Sequence, residues 1–243
     1  MVNPKDIKLF VATPVFGGCT HNYVNGIFDL GFGCRHFGIE VQYRQTVNQA
    51  YIHLARNRLA AEFIESNYTH FMFIDQDVGF TGQDVFALIQ QDLDVVAGTY
   101  PLKQIQWENV AAAAVAGVPL EKLEAASAIH IFKPVDLTQK FSNQEVVEVE
   151  HVGTGFMLIK RQVFERLAEV LPRYFEVFSP GNRKETIDFF GHATVNDEFW
   201  GEDVSFCKRV QDAGMKVHVA PWVQCSHVGM YHFNAQVFGT EHQ

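Results

Sequence analysis

The chain has 243 residues, 47% apolar and 19% charged, with a formal charge of −9. That is ample core for one α/β domain and excludes a chain too polar to fold. The charge argues against a nucleic-acid surface, which needs a basic stripe along the phosphates, but leaves room for one anionic ligand held by local basic groups and a metal.

In chain order, Lys8–Ala12 reads as a first strand, stopped by Thr13-Pro14. Glycines at 17, 18, 26, 31 and 33 then favour a loop with short helical pieces. Ile39–Tyr43 alternates like a second strand, and Asn48–Ser66 turns helical, with Ile52, Leu59, Ala60 and Phe63 on one stripe. Arg56 falls on that same stripe. Either it snorkels from a half-buried helix, or it aims a guanidinium at a phosphate or nucleoside.

Phe71–Ile74 is an apolar run that predicts a buried strand, and Asp75-Gln76-Asp77 follows it directly. Two carboxylates there would emerge at the sheet's C-terminal edge. Paired oxygens of that kind suit a hard divalent cation, which in turn can hold a diphosphate. The competing reading is a solvated acidic turn.

Thr81-Gly82-Gln83-Asp84 predicts a capped helix running to about Gln91. Val95–Tyr100 is the next strand, ending at Pro101. Val110–Ala128 predicts two short helices broken at Gly117-Val118-Pro119. Ile129–Phe132 and Glu145–Glu150 predict strands of a smaller mixed sheet.

His151–Gly155 makes a tight turn before the strand Phe156–Ile159, and a helix covers Arg161–Leu171. Gly153 and Gly155 serve either the turn geometry or close approach to a ligand. Residues 172–199 carry loop signals, and a loop so long is commonly functional. A helix opens at Gly201-Glu202-Asp203 and runs through Ala213, with Gly214 just past its end. Val217–Ala220 is the last strand. Trp200, beside the acidic pair, is either a sugar-stacking platform or a core aromatic.

No apolar run approaches the ~20 residues that span a bilayer, and the first six residues lack a signal-peptide pattern. A cytoplasmic protein with free thiols is expected. Cys19-Thr20-His21, Cys34-Arg35-His36 and Cys225-Ser226-His227 repeat a Cys-x-His unit, but their spacing is not that of zinc sites.

Three segments together resemble the nucleotide-sugar-dependent glycosyltransferases of the GT-A fold, family 2 above all. They are Ala55-Arg56-Asn57 with Phe73–Asp77, then Gly153–Arg161, then Gly201–Arg209 continued by Asp212-Ala213-Gly214 and Ser226–Gly229. The match runs over roughly residues 8–230. It implies one α/β domain over residues 1–243, with a Rossmann-like, mostly parallel central sheet flanked by helices and a smaller mixed sheet. About 1–100 would bind the nucleotide sugar, and about 101–243 would receive the acceptor.

The resemblance further implies a metal held by Asp75, Asp77 and His227, Mn²⁺ or else Mg²⁺. Thr13, Pro14, Arg56, Asp75 and Gln76 would hold the donor, a UDP-sugar before others. Gly153, Thr154, Trp200 and Glu202 would face a glycan or other hydroxyl acceptor. Asp203 would be the base of an inverting hexosyl transfer. Gln45 and Thr46 depart from the acidic residues that many relatives carry after the second strand, which leaves the nucleobase open.

Two rival functions remain at this level. Asp-x-Asp after an apolar strand also marks haloacid-dehalogenase-like phosphohydrolases, although Gly79 stands at their usual threonine. A nucleotide-sugar-binding module without turnover would carry the same pocket.

Overall fold

The chain is described over residues 2–138, 142, 144–179 and 181–232 of a computed structural model; Pro180, in the expected loop, lies outside them. The strands in chain order are β1 (Lys8–Val15), β2 (Glu40–Val47), β3 (His70–Ile74), β4 (Val78–Gly79), β5 (Val95–Thr99), β6 (Phe132–Pro134) and β7 (Val147–Val152). They continue with β8 (Phe156–Lys160), β9 (Arg173–Ser179), β10 (Asn182–Ile187), β11 (Ala193–Val195), β12 (Glu198–Trp200), β13 (Val217–Gln224) and β14 (Ser226–His227). The helices are α1 (His21–Phe37), α2 (Ile52–Ile64), α3 (Gly82–Gln90), α4 (Trp107–Val115), α5 (Leu123–Ala126), α6 (Arg161–Ala168) and α7 (Glu202–Asp212).

Eight strands form one sheet in the order β2-β1-β3-β8-β5-β13-β7-β6. β7 and β8 run against the rest, so the sheet is mostly parallel, as expected. Three two-stranded pairs, β9–β10, β11–β12 and β4–β14, complete the architecture.

Alternation along β3 sorts its side chains between two layers, because successive residues point to opposite faces. Phe71 and Phe73 join the core under α2, α6 and α7, while Met72 and Ile74 join the core under α1 and α3. The first layer is a phenylalanine cluster. Phe71 meets Phe73 and Phe164 edge-on at centroid distances of 4.5 and 5.1 Å, and Phe190 stacks on Phe206 at 4.5 Å. Each buried ring contributes about 1.5–3 kcal/mol.

Three local expectations are corrected. Gly17 and Gly18 do lie in a loop, but Gly26, Gly31 and Gly33 belong to the continuous helix α1, capped by Thr20 and closed by Gly38 in the left-handed region. Its glycines serve contact: a Cβ on Gly26 or Gly33 would come within 2.6 Å of Phe80 or 2.5 Å of Phe86. The predicted loop at 172–199 holds the hairpins β9–β10 and β11–β12 instead. In β9 the apolar Phe175 and Val177 face solvent while Glu176 is buried, so the usual apolar-inward alternation is inverted there. β6 and β7 do not make a separate sheet; they extend the antiparallel margin of the large one.

Among the other elements, α2 and α6 are shorter than expected, whereas β1 is not stopped by Thr13-Pro14 but runs through them to Val15, and β2 and β13 extend to Val47 and Gln224. The cap at α3 is a capping box: the Thr81 backbone N–H donates to the Asp84 carboxylate at 2.7 Å. Gly214 follows α7 at φ +79°.

Candidate active site

Parallel strands deliver their following residues to one edge of a sheet. β3 therefore leads Asp75, Gln76 and Asp77 to the edge where β5 leads Tyr100–Lys103. β8 runs the other way, so its entry turn, Gly153–Gly155, arrives at that same edge. The β4–β14 pairing, with the Val228 N–H donating to the Asp77 carbonyl at 2.9 Å, brings His227 there too.

Asp75 continues the parity of Phe73, which turns it toward α2. Arg56 meets it there: its Nη2 donates to Asp75 Oδ2 at 3.0 Å, and its guanidinium lies over the Phe73 ring at 4.7 Å. On its other side, Arg56 Nε is 3.5 Å from Glu202 Oε1. Arg56 is 2% exposed, so it does not snorkel. Burial works against its charge, but Asp75 and Glu202 outweigh that and hold it firmly protonated. The ion pair ties the two halves of the chain together.

Asp77 takes different partners. Its Oδ1 lies 3.4 Å from His227 Nε2, and Oδ2 accepts from Lys103. Burial raises its pKa, but His227 and Lys103 overcome this and hold it down at about 2. The His227 Nδ1–H donates to the Pro101 carbonyl at 2.8 Å, which turns the other ring nitrogen toward Asp77.

Tyr100 links these groups. Its ring meets His227 edge-on at 5.2 Å, and its hydroxyl accepts from the Gly155 N–H at 2.8 Å. Burial and the negative charge of Asp75 push its phenol well above the ordinary range, with Asp203 adding to the same effect. Tyr100 thus stands within electrostatic reach of both Asp75 and Asp203. A Cβ on Gly153 would lie 2.3 Å from its hydroxyl oxygen, and one on Gly155 2.7 Å. Both glycines therefore make room for Tyr100.

Asp203 stands in the first turn of α7, where its Oδ1 accepts from the Val204 N–H at 2.8 Å. His151 lies close enough to feel its charge. Trp200 lines a neighbouring groove of about 370 Å³ with His151, Glu198 and Val204. Thr154 is buried with an unpartnered hydroxyl, as are Asp75 Oδ1 and Arg56 Nη1.

The other expected donor residues are placed less openly. Thr13 is 1% exposed and its hydroxyl bonds Tyr23 at 2.7 Å. The Gln76 amide is committed at both ends to the Phe16 backbone, at 2.7 Å each, and so pins the loop after β1. Pro14, Asp75, Gln76 and Asp77 do line one cleft, of about 140 Å³, with Phe16, Gln49 and Ile52.

Among the described residues, no three His, Cys, Asp or Glu side chains gather as a metal-holding group. Asp75 turns to Arg56, leaving Asp77 and His227 as the pair that faces itself. Their chemistry fits a cation. A carbonyl can only accept, so Nδ1 is committed to Pro101 and Nε2 is the ring nitrogen that faces the Asp77 carboxylate, where its lone pair would serve a cation. The four cysteines are free, and Cys34, Cys207 and Cys225 are buried.

Sequence reading missed Tyr100, Lys103 and His151. The position of Tyr100 and Lys103 just after an apolar strand was the available signal.

In fold, the chain is similar to A197 from STIV, at a TM-score of 0.52 and 17% identity, over 97% of this chain and 100% of that one. It is similar also to GalNAc-T7, crystallised with UDP, GalNAc and Mn²⁺, at 0.51 and 10% identity, over 93% of this chain and 44% of that longer one. The architecture is thus that of GT-A glycosyltransferase structures. No protein-family model matches the sequence, and no curated protein does. No helix among the described residues is long and apolar enough to cross a membrane.

Proposed function

We propose that the chain is a glycosyltransferase moving a hexose-type sugar from a nucleoside diphosphate donor, UDP before others, to a hydroxyl of a glycan or similar acceptor. The observation that carries this reading is the Asp77–His227 pair, 3.4 Å apart at the cleft where Asp75 and Pro14 also emerge. Residues to about 100 hold the donor, and those beyond receive the acceptor.

Asp77 and His227 would hold the cation, and their mixed oxygen and nitrogen donors favour Mn²⁺ over Mg²⁺. When bound, such an ion stabilises negative charge on a departing diphosphate. Arg56 fixes the Asp75 carboxylate and, through Glu202, the start of α7. Asp203 takes the proton of the acceptor hydroxyl, and attack opposite the leaving group inverts the anomeric centre. Trp200 offers a flat apolar face beside that carboxylate, suited to the face of a sugar ring.

A phosphohydrolase would need Asp75 free as a nucleophile, whereas its Oδ2 is bonded to a buried guanidinium. The test is slow hydrolysis of UDP-sugars followed with and without Mn²⁺. The wild type should turn over only with Mn²⁺. Asp203→Asn should lose about 10²- to 10⁴-fold in rate while still binding UDP. Unchanged turnover in Asp203→Asn would remove it as the base. Binding without any turnover would leave a nucleotide-sugar-binding module.

A further inference from the structure

Lys103 has no role in the sequence-based expectations, and the structure places it against Asp77. It belongs to the strap that follows β5, which is fastened at three points. The Tyr100 hydroxyl takes the Gly155 N–H, the Pro101 carbonyl takes His227 Nδ1–H, and the Leu102 N–H donates to Ile129 at 2.8 Å. The backbone is thus held while the Lys103 side chain reaches back to Asp77 Oδ2. Its stem runs over Gly229, where a Cβ would lie 3.0 Å from Cδ. Among the described residues, Asp77 is its sole ion-pair partner.

Asp77 offers two oxygens, one to His227 and one to Lys103. A divalent ion between Asp77 and His227 would put two positive groups on one carboxylate, and like charges so close repel. The Lys103 and Asp77 side chains are 37% and 22% exposed, so water offsets the cost of parting them. Ion pairs open to that degree are weak. Lysine is also a compact charge on a flexible four-carbon stem, so its ammonium can leave while the strap stays.

Resting on the functional reading above, we propose that Lys103 is an exchangeable counter-ion of the donor site. It holds Asp77 before ligand arrives, yields that oxygen to the divalent cation, and then donates to the donor's diphosphate. Donor binding is thereby coupled to cation binding. The cation displaces the ammonium, and the released ammonium finds its new partner in the diphosphate.

Calorimetric titration of the full chain tests this, first with MnCl₂ alone and then with UDP at saturating Mn²⁺. Lys103→Gln should bind Mn²⁺ alone about fivefold more tightly than the wild type, since no ammonium competes. The same variant should bind UDP about tenfold more weakly, having lost a charged donor to phosphate. Lys103→Arg, which keeps the charge, should stay near the wild type for Mn²⁺. If Asp77→Asn abolishes Mn²⁺ binding while Lys103→Gln leaves it unchanged, the cation site stands and the exchange is overturned. If UDP affinity is unchanged in Lys103→Gln, the transfer to diphosphate is overturned. If the wild type takes no Mn²⁺ and binds UDP equally in chelator, Lys103 is a permanent counter-ion, and the metal-dependent reading falls with the exchange.

Discussion

Arg56 donates to Asp75 at 3.0 Å from a position that is 2% exposed, with Glu202 on its other flank. A buried guanidinium between two carboxylates is a rigid fastening, because neither acid has an equal partner elsewhere. It joins the end of β3 to the start of α7, and hence the donor edge to the candidate base. Removing one member of such a buried set leaves an uncompensated charge.

Arg56→Met should therefore lower unfolding free energy by about 3–5 kcal/mol in urea denaturation. Replacing Asp75 and Glu202 by their amides in the same chain should recover part of that loss, because the stranded charges vanish. A cost below about 1 kcal/mol, typical of surface pairs, would show that the fastening is not what holds the edge.

Gly153 is required by Tyr100, whose hydroxyl oxygen would lie 2.3 Å from an added Cβ. Gly153→Ala should cost about 1–3 kcal/mol, the usual effect of overpacking. In a Tyr100→Phe background the same change should cost less, since the hydroxyl oxygen is gone and only ring Cζ, at 2.9 Å, is left in its way. A double-mutant cycle by chemical denaturation reads the coupling. No coupling would assign Gly153 to turn geometry alone.

Asp77→Asn should uncouple nucleotide binding from Mn²⁺. With UDP and Mn²⁺ present at 100 times its Kd, the wild type should gain about 2.7 kcal/mol of stability. The variant should gain less than about half as much in a thermal-shift measurement with the same ligands. Equal shifts would mean that Asp77 is not part of the donor site.

His70 gives a pH dependence away from the site. It is buried at the start of β3, with Nδ1 and the Thr69 hydroxyl 2.8 Å apart. Burial first, and the nearby Lys160 second, push its pKa from 6.5 down to about 4. Between those values the unfolded chain binds a proton that the folded chain refuses, so stability falls as pH drops from 6.5 toward 4. The loss should be on the order of 3 kcal/mol. His70→Gln should flatten that part of the stability–pH curve; an unchanged slope would assign it to other groups.

Local patterns made much of this fold readable. Short apolar runs located β3, β5 and β8, and the Thr81–Asp84 cap and the Gly214 stop bounded their helices, because each depends on neighbours one to four residues away. The resemblance carried by the order of the motifs implied that Asp75, Asp77, Asp203 and His227 share one site; in the structure Asp75 and Asp77 follow β3, and β14 brings His227 to Asp77. α1 and the two hairpins were misread where local composition spoke against them and distant contacts decided. Gly26 in α1, for example, is explained only by Phe80 packed upon it.

What the amino-acid order determined alone was which residues leave the carboxyl ends of β3 and β5, since an apolar run and the residues that end it are local. Which of them become partners was decided by the tertiary structure. Asp75 and Asp77 are two residues apart and chemically alike, yet one is given to Arg56 and the other to His227 and Lys103. That division follows from the turn at Gln76-Asp77, closed by the Val78 N–H on the Asp75 carbonyl at 3.0 Å, which carries Asp77 off the line of β3 to the β4–β14 pair; side chains so far apart in the chain meet only once the layers close.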